Sequence, residues 1–279
     1  MKVFGTNTDE LRFAEELARD EGDYMHEVFH GPKMLVVRRK PEGDVTDVDE
    51  TVSDNVVAAY KHRGINVASE EKGGTATYGD RDIVIIDPTD GTRNMINGQK
   101  LSPRISLAMF ALAVKRREVE VAVAYAPLLP TKVMYTAVKG QGAFREKAGF
   151  RRRLRIDDHP TTGVVLMSDT EPQITARLQA AGFETVILDG AVFKACCLID
   201  PELLELYRPG ELGSRQIVGF VSKNAYTHDF AATALLGAEA GCVVSSPTGG
   251  SLVFKPGKQG CVMSNNPVVH RKLLQAVRG

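Results

Sequence analysis

Two aspartates stand three residues apart in the segment DIVIIDPTDGTRN, residues 82–94. The β-branched run before Asp87 predicts a buried strand that ends at this acid, and the Asp-Gly pair favours a turn at Asp90. Open α/β sheets bind ligands at the carboxyl ends of their strands. A helix beginning at Thr92 would add free backbone N–H groups, which favour an anion such as phosphate. The segment could therefore hold cations together with the anion that they bridge, although an ordinary turn also explains it.

Further acids stand where predicted elements begin or end. Glu70 and Glu71 follow a short strand, whereas Asp49 and Asp229 lie near the starts of two helices. Each has an alternative explanation as a solvated or helix-terminal charge. Gathered in one cleft, these acids would repel each other unless cations lay among them. Oxygen ligands without Cys or His favour Mg²⁺ or Mn²⁺ over Zn²⁺. Two or three such ions could activate water and stabilise the leaving oxygen during displacement at phosphorus.

The order of these motifs resembles that of the inositol monophosphatase family, whose superfamily includes fructose-1,6-bisphosphatases and 3′-phosphoadenosine 5′-phosphate phosphatases. The matching segments are VTDVDE, ASEE, DIVIIDPTDGTRN and HDFAAT, supported by PRISLAM and YTAVKGQGAF. The likeness extends over about residues 10–278. It implies a layered α-β-α-β-α sandwich with the active site between an α+β half and an α/β half.

The resemblance also implies a ligand set for two or three Mg²⁺ ions. Glu70, Asp87 and the carbonyl of Thr89 would hold the first ion. Asp87, Asp90 and Asp229 would hold the second.

Further roles implied by the resemblance concern catalysis and the phosphate. Asp49 and Glu70 would help to hold a weaker third ion. Thr92 would hydrogen-bond Asp49 and help to orient the attacking water, so that Asp49, Glu70 and Thr92 form the catalytic set. The backbone N–H groups of Gly91 and Thr92 would bind the phosphate. Glu71 would lie behind the ligands or remain a surface charge.

The chain departs from the family pattern at positions that bear on the substrate. His228 stands where tryptophan is common and is interpreted as a packing residue rather than a ligand. Arg93 replaces a small residue; it is either an exposed helix residue or a contact to the substrate phosphate or a second anionic group. Three more cations lie in regions that could line the substrate side: Lys194, Arg215 and Lys223. The long segment 208–227 shows no clear counterpart of the acid that helps to grip inositol.

Periodicity outlines the elements that would position these residues. A long helix capped by Thr8 or Asp9 and a second capped by Thr46 or Asp47 are predicted, followed by short strands, DIVIID and an antiparallel meander. In the second half, strands are predicted at 164–168, 185–189, 242–246 and 250–254. Helices are predicted within 171–182, 191–199, 228–241 and 267–278. The basic run 151–155 is interpreted as a solvated connection between two subdomains, with an anion-binding patch as the alternative. The first subdomain, at 1–150, would carry most metal ligands. The second, at 151–279, would carry the last metal aspartate and the substrate side.

Composition favours a globular protein of one large domain or two fused subdomains. The chain has 279 residues, is 43% hydrophobic and has no net charge, which gives no support to nucleic-acid or membrane attraction. The four cysteines form no CxxC pair and are interpreted as buried thiols of a reduced protein. No signal peptide or membrane span is predicted. We therefore expect a cytoplasmic protein, and the resemblance suggests a homodimer.

These observations predict Mg²⁺-dependent hydrolysis of a phosphate monoester by a metal-activated water. Inositol monophosphate or a related sugar phosphate is the first expected substrate. Fructose-1,6-bisphosphate and 3′-phosphoadenosine 5′-phosphate are the alternatives. A non-catalytic, phosphometabolite-binding protein of the same fold is a further alternative. A calcium-binding structural protein is disfavoured because the chain lacks the loop spacing of an EF-hand.

Overall fold

Capping boxes begin both helices of the outermost layer. Helix α1 (Asn7–His30) starts after Thr6, whose hydroxyl accepts the N–H of Asp9 while the Asp9 carboxylate accepts the N–H of Thr6. Helix α2 (Asp47–His62) starts in the same way after Thr46, with Asp49 as the reciprocal acid. Such reciprocal bonds satisfy N–H groups that a helix start leaves without partners. The predicted cap of α2 is confirmed at Thr46, whereas the cap of α1 lies two residues before the predicted Thr8.

The computed structural model describes residues 5–40, 43–71, 74–101, 108–156, 160–167 and 171–279. A hairpin of β1 (Val37–Lys40) and β2 (Gly43–Thr46) joins the first two helices. Seven strands then form one sheet in chain order: β3 (Asn66–Ser69), β4 (Ile83–Asp90), β5 (Met109–Lys115), β6 (Val119–Ala126), β7 (Val133–Val138), β8 (Gly142–Lys147) and β9 (Phe150–Leu154). Helix α3 (Thr92–Leu101) follows β4. The predicted meander is confirmed, although most of the PRISLAM segment lies outside the described residues.

The basic run predicted to connect two subdomains lies in the edge strand β9. Arg151 and Arg152 reach back to acids of the same molecule, Glu15 at 3.0 Å and Asp200 at 3.5 Å. The first sheet therefore continues to Leu154. The division of the chain near residue 150 stays a prediction.

A second, five-stranded sheet forms the other half, in the order β11-β10-β12-β14-β13. Its strands are β10 (Val164–Met167), β11 (Glu184–Ile187), β12 (Ile217–Ser222), β13 (Val243–Ser245) and β14 (Cys261–Ser264). Its helices are α4 (Pro172–Ala180), α5 (Ala191–Ile199), α6 (Glu202–Tyr207), α7 (Thr227–Ala240) and α8 (Pro267–Arg278). The predicted strand at 250–254 is wrong, because residues 251–254 have no regular structure, and the sequence interpretation missed β12 and β14.

Among the residues that the structure describes, three groups of buried apolar side chains fill the spaces between the layers. One lies between α1, α2 and the first sheet, and another lies between the second sheet and helices α4 and α8. The largest joins both sheets through α5 and α7 and contains Cys196, Cys197, Cys242 and Cys261, which are free thiols. The layers thus alternate α-β-α-β-α, as predicted. Within the described residues, no helix has the length and hydropathy that crossing a bilayer requires.

Candidate active site

A cleft of about 300 Å³ lies where β3 and β4 end and where α3, α5 and α7 begin. The predicted site residues that line this cleft are Glu70, Asp87, Thr89, Asp90, Gly91, Thr92, Arg93, Lys194 and Asp229. Asp49 is buried and contacts the cleft-lining Thr92. Because several helix starts meet here, their N–H groups and dipoles favour negative charge in the cleft.

A β-bulge explains how Asp87 and Asp90 reach the same cleft. Residues three apart in a regular strand point to opposite faces of the sheet. In β4, however, Asp87 pairs with Ala111 and Asp90 pairs with Met109, so one extra residue is inserted between them. Pro88 lies in this irregularity, a place where a strand tolerates proline. Asp90 was predicted in a turn after the strand; it is instead the last strand residue, re-aimed by the bulge.

The carboxylates of Asp87, Asp90 and Asp229 form the compact centre of the cleft. Each offers an oxygen, and these oxygens lie within 4.8 Å of one another. Glu70 lies beside them with one third of its side chain accessible. Three hard oxygen donors at such separations, with a fourth carboxylate next to them, fit Mg²⁺ or Mn²⁺.

Mutual repulsion and burial perturb these acids strongly. Desolvation, followed by the negative charges of Asp229 and Glu71, raises the pKa of Glu70 to about 8. Desolvation and the charge of Asp229 raise the pKa of Asp90 to about 7, against the opposing hydrogen bond from Phe193. Desolvation and the charge of Glu70 raise the pKa of Asp87 well above its ordinary value. Cations placed among these groups would remove the repulsion.

Asp90 is also bound by the start of α5. Its oxygens accept the backbone N–H of Ala191 at 2.6 Å and that of Phe193 at 2.9 Å. Gly190 precedes the helix with φ +81°, and a Cβ there would lie 2.7 Å from Asp90 Oδ2. Glycine is therefore required both by the backbone and by the close approach of the carboxylate.

Asp229 lines the cleft and Asp49 contacts its wall through Thr92, and both carboxylates also accept an N–H group at a helix start. Asp229 Oδ2 accepts the N–H of Tyr226 at 2.5 Å, and Asp49 Oδ2 accepts the N–H of Thr46 at 2.7 Å. The other oxygen of Asp49 accepts the Thr92 hydroxyl at 2.8 Å, which is the bond expected from the resemblance. The same hydroxyl lies 2.9 Å from the Thr89 carbonyl. A hydroxyl has one proton, so these two acceptors share it and orient the oxygen lone pairs of Thr92.

The residues predicted around the substrate have separate environments. Arg93 is exposed at the cleft, in the first turn of α3. Lys194 is buried, lines the cleft and donates to the carbonyl of Leu188 at 2.9 Å. Arg215 lies outside this cleft and pairs with Glu184 at 2.8 Å, so its predicted place on the substrate side is wrong.

The sequence interpretation missed Glu171 on the cleft wall. Its carboxylate accepts the side-chain amide of Asn224 at 3.0 Å and the N–H of Lys223 at 3.4 Å. In the sequence, Glu171 precedes Pro172 at the start of a predicted helix, where an acid is commonly a helix-terminal charge. Its place after the carboxyl end of β10 was the available signal.

Glu71 and His228 lie behind or beside the acidic cluster. Glu71 is buried and ion-paired with Lys40, so it is not the surface charge that was considered. The His228 ring is buried, and burial lowers its pKa. Its Nδ1 lies 2.7 Å from the Tyr78 hydroxyl, and its Nε2 lies 3.7 Å from Asp229 Oδ1.

An acid-lined cleft at several helix starts, within an α-β-α-β-α sandwich, is an arrangement that could bind divalent cations and a phosphate together. The chain belongs to the inositol monophosphatase family, whose model matches residues 7–279. The Nus factor SuhB of Salmonella typhimurium (strain 14028s / SGSC 2262) is 30% identical, covering 96% of this chain and 95% of that protein. The fructose-1,6-bisphosphatase/inositol-1-monophosphatase of Methanocaldococcus jannaschii is 26% identical, with 80% and 79% covered. The crystal structure of an IMPase/NADP phosphatase complexed with Mg²⁺ and phosphate superposes with TM-score 0.73 at 16% identity, covering 98% and 96%.

Proposed function

We propose that this protein hydrolyses a phosphate monoester with Mg²⁺ as its cofactor, using two or three ions. The observation that supports this most directly is the convergence of Asp87, Asp90 and Asp229 on one centre beside Glu70 and the start of α3. Carboxylates alone would hold cations for many purposes. Next to a helix start that favours an anion, they match the needs of phosphate chemistry.

The chain's own residues bind and orient the reactants. The N–H groups of Gly91 and Thr92 at the start of α3 receive the phosphate. The Thr92 hydroxyl, held by Asp49 and the Thr89 carbonyl, directs a lone pair towards the attacking water. Asp87, Asp90, Asp229, Glu70 and the Thr89 carbonyl hold the cations. Bound Mg²⁺ would supply Lewis-acid activation of water and neutralise charge on the phosphate and on the leaving oxygen.

The cleft walls favour a hydroxyl-rich substrate of modest size. Glu171 with Asn224 offers a carboxylate and an amide for hydroxyl groups, and Lys194 adds a cation next to them. Arg93 lies at the cleft where a second anionic group would contact it. We therefore place inositol monophosphate or a related sugar phosphate first. Fructose-1,6-bisphosphate and 3′-phosphoadenosine 5′-phosphate are the alternatives, since both add negative charge within reach of Arg93.

The test is release of inorganic phosphate from these three compounds in millimolar-range Mg²⁺. Asp90→Asn is the inactive variant, and Asp54→Asn, on the exposed face of α2, is its matched control. Mg²⁺-dependent release by the wild type and by Asp54→Asn, lost in Asp90→Asn, would establish a phosphatase. Full activity in a folded Asp90→Asn protein would refute the metal assignment.

The second candidate is a binding protein of this fold that takes up metal and phosphometabolite without turnover. The similarity to a protein named Nus factor SuhB is the observation that keeps it open. This candidate would be favoured if calorimetry showed binding of Mg²⁺ and of a phosphate ester from the panel while no compound released inorganic phosphate. The homodimer, the cytoplasmic location and the absence of a nucleic-acid partner stay proposals alongside it.

A further inference from the structure

His228 lies immediately before Asp229, in the first turn of α7, and its ring is clamped by two tyrosines. The ring stacks on Tyr226 with centroids 5.4 Å apart and planes 12° apart. On another side it contacts Tyr78, whose hydroxyl oxygen lies 2.7 Å from Nδ1. The orientation of both ring nitrogens is therefore fixed by packing as well as by hydrogen bonding.

The Tyr78 hydroxyl determines which ring nitrogen bears a proton. This hydroxyl lies 3.0 Å from the carbonyl of Ser69, which can only accept. Tyr78 has one proton, so it donates to Ser69 and accepts from Nδ1–H of His228. In the neutral ring, Nε2 is consequently left with its lone pair.

That lone pair points into the acidic cluster. Nε2 lies 3.7 Å from Asp229 Oδ1 and 3.9 Å from Glu70 Oε2. When both carboxyls are ionised and the ring is neutral, all three atoms are acceptors, and a cation between them would bind all three. Two donors that each lie about 2.1 Å from one ion, at an angle of about 120°, are roughly 3.6 Å apart. The observed separations match this value.

We propose that His228 Nε2 is a ligand of a divalent cation that lies between Asp229 and Glu70, two acids to which the family resemblance assigns different ions, and that the site consequently binds Mn²⁺ or Co²⁺ more tightly than Mg²⁺. Imidazole nitrogen suits first-row transition ions, whereas Mg²⁺ prefers oxygen. In metal sites, a hydrogen bond to the other nitrogen of a ligating histidine orients the ring. The Tyr78 hydroxyl makes this bond to Nδ1 of His228. The inference rests on the proposed metal site and departs from the interpretation of His228 as a packing residue.

The decisive experiment is pulsed electron paramagnetic resonance of the Mn²⁺-loaded, full-length protein. Echo modulation from an imidazole ¹⁴N is expected, and it should be replaced by the ¹⁵N pattern when histidine alone is ¹⁵N-labelled. His228→Gln should lose it. His62→Gln, at the exposed end of α2, should retain it. The labelling result is obtained on the wild type, so it tests histidine ligation even if His228→Gln fails to fold, and the Nε2 distances to Asp229 and Glu70 assign such a signal to His228.

A competition titration gives the functional measure. Calorimetry should show that the ratio of the Mg²⁺ to the Mn²⁺ dissociation constant falls about tenfold or more in His228→Gln and is unchanged in His62→Gln. Mn²⁺ binding without histidine modulation would overturn the proposal while leaving the carboxylate site and the phosphatase intact. Absence of both Mn²⁺ binding and phosphate release would overturn the proposed function and this inference together.

Discussion

Asp90→Asn should change the stability of the metal-free protein with a sign that depends on pH. The pKa of Asp90 rises from its ordinary value of 3.8 to about 7. A folded state that raises the pKa of an acid binds its proton more tightly, so stability is lost as pH rises from about 4 to about 7. With about 1.4 kcal/mol for each tenfold change, the raised pKa of Asp90 costs about 4 kcal/mol of stability at pH 8, where the group is ionised, and about 2 kcal/mol at pH 5, where folding takes up a proton.

Asparagine removes this cost but disturbs the bonds at the start of α5. Its amide can accept only one of the two N–H groups, from Ala191 and Phe193, that Asp90 accepts. The loss is about 1–3 kcal/mol and does not depend on pH. The difference in the free energy of unfolding between the variant and the wild type should therefore shift in favour of the variant by about 2–3 kcal/mol from pH 5 to pH 8. For a chain of this size the corresponding relative rise in Tm is about 3–5 °C.

The assay is thermal unfolding in EDTA at several pH values, with Asp54→Asn as control. At pH 8 the variant should be the more stable protein, and at pH 5 it should equal the wild type or fall below it. Saturating Mg²⁺ should then raise the Tm of the wild type and of Asp54→Asn but not that of Asp90→Asn. A stability difference that stays constant or declines from pH 5 to pH 8 would refute the electrostatic reasoning.

Further predictions concern other parts of the site. Gly190→Ala should lower Mg²⁺-dependent turnover at least tenfold, because the added Cβ would displace the Asp90 carboxylate and because alanine is strained at the positive φ of this position. Calorimetry should show weakened Mg²⁺ binding. Thr92→Val should reduce kcat about 10²-fold with nearly unchanged KM, since it removes the hydroxyl held by Asp49, and steady-state kinetics would expose a wrong assignment as a change in KM alone. Glu171→Gln should raise KM for a sugar phosphate several-fold and leave Mg²⁺ affinity unchanged. The Mg²⁺-induced rise in Tm should be larger at pH 8 than at pH 6, because protons compete for carboxylates whose pKa values reach about 7 and about 8.

Patterns that act over short distances in the chain were predictable. The apolar periodicity of α1, the β-branched run of β4 and the cap at Thr46 depend on neighbouring residues. The order of the acidic motifs supplied the layered fold through its resemblance to a known family. The segment containing β12 was misjudged because its short run, IVGFVS, is interrupted by Gly219. That glycine packs against Leu273 of α8, whose Cδ1 would lie 2.6 Å from an added Cβ.

Contacts between distant parts of the chain were beyond the reach of pattern analysis. The bonds from Ala191 and Phe193 to Asp90 join residues about a hundred positions apart. The β-bulge between Asp87 and Asp90 depends on the pairing of β4 with β5. Arg215 looked suited to an anionic substrate, yet it forms an ion pair with Glu184 of β11.

Because some of these acids also bind at helix starts, their retention in a related protein does not by itself indicate that the protein is a phosphatase. Asp49 completes a capping box, the Asp229 carboxylate accepts the N–H of Tyr226 before α7, and Asp90 accepts N–H groups at the start of α5. A descendant that abandoned hydrolysis would keep these acids, because losing them would damage its helices. Among the described hydrogen bonds, the Glu70 side chain makes no such capping bond. Glu70 would therefore be retained chiefly by selection for turnover. In members of this fold, a substitution at the position of Glu70 is therefore the earliest expected mark of a phosphatase that has become a binding protein.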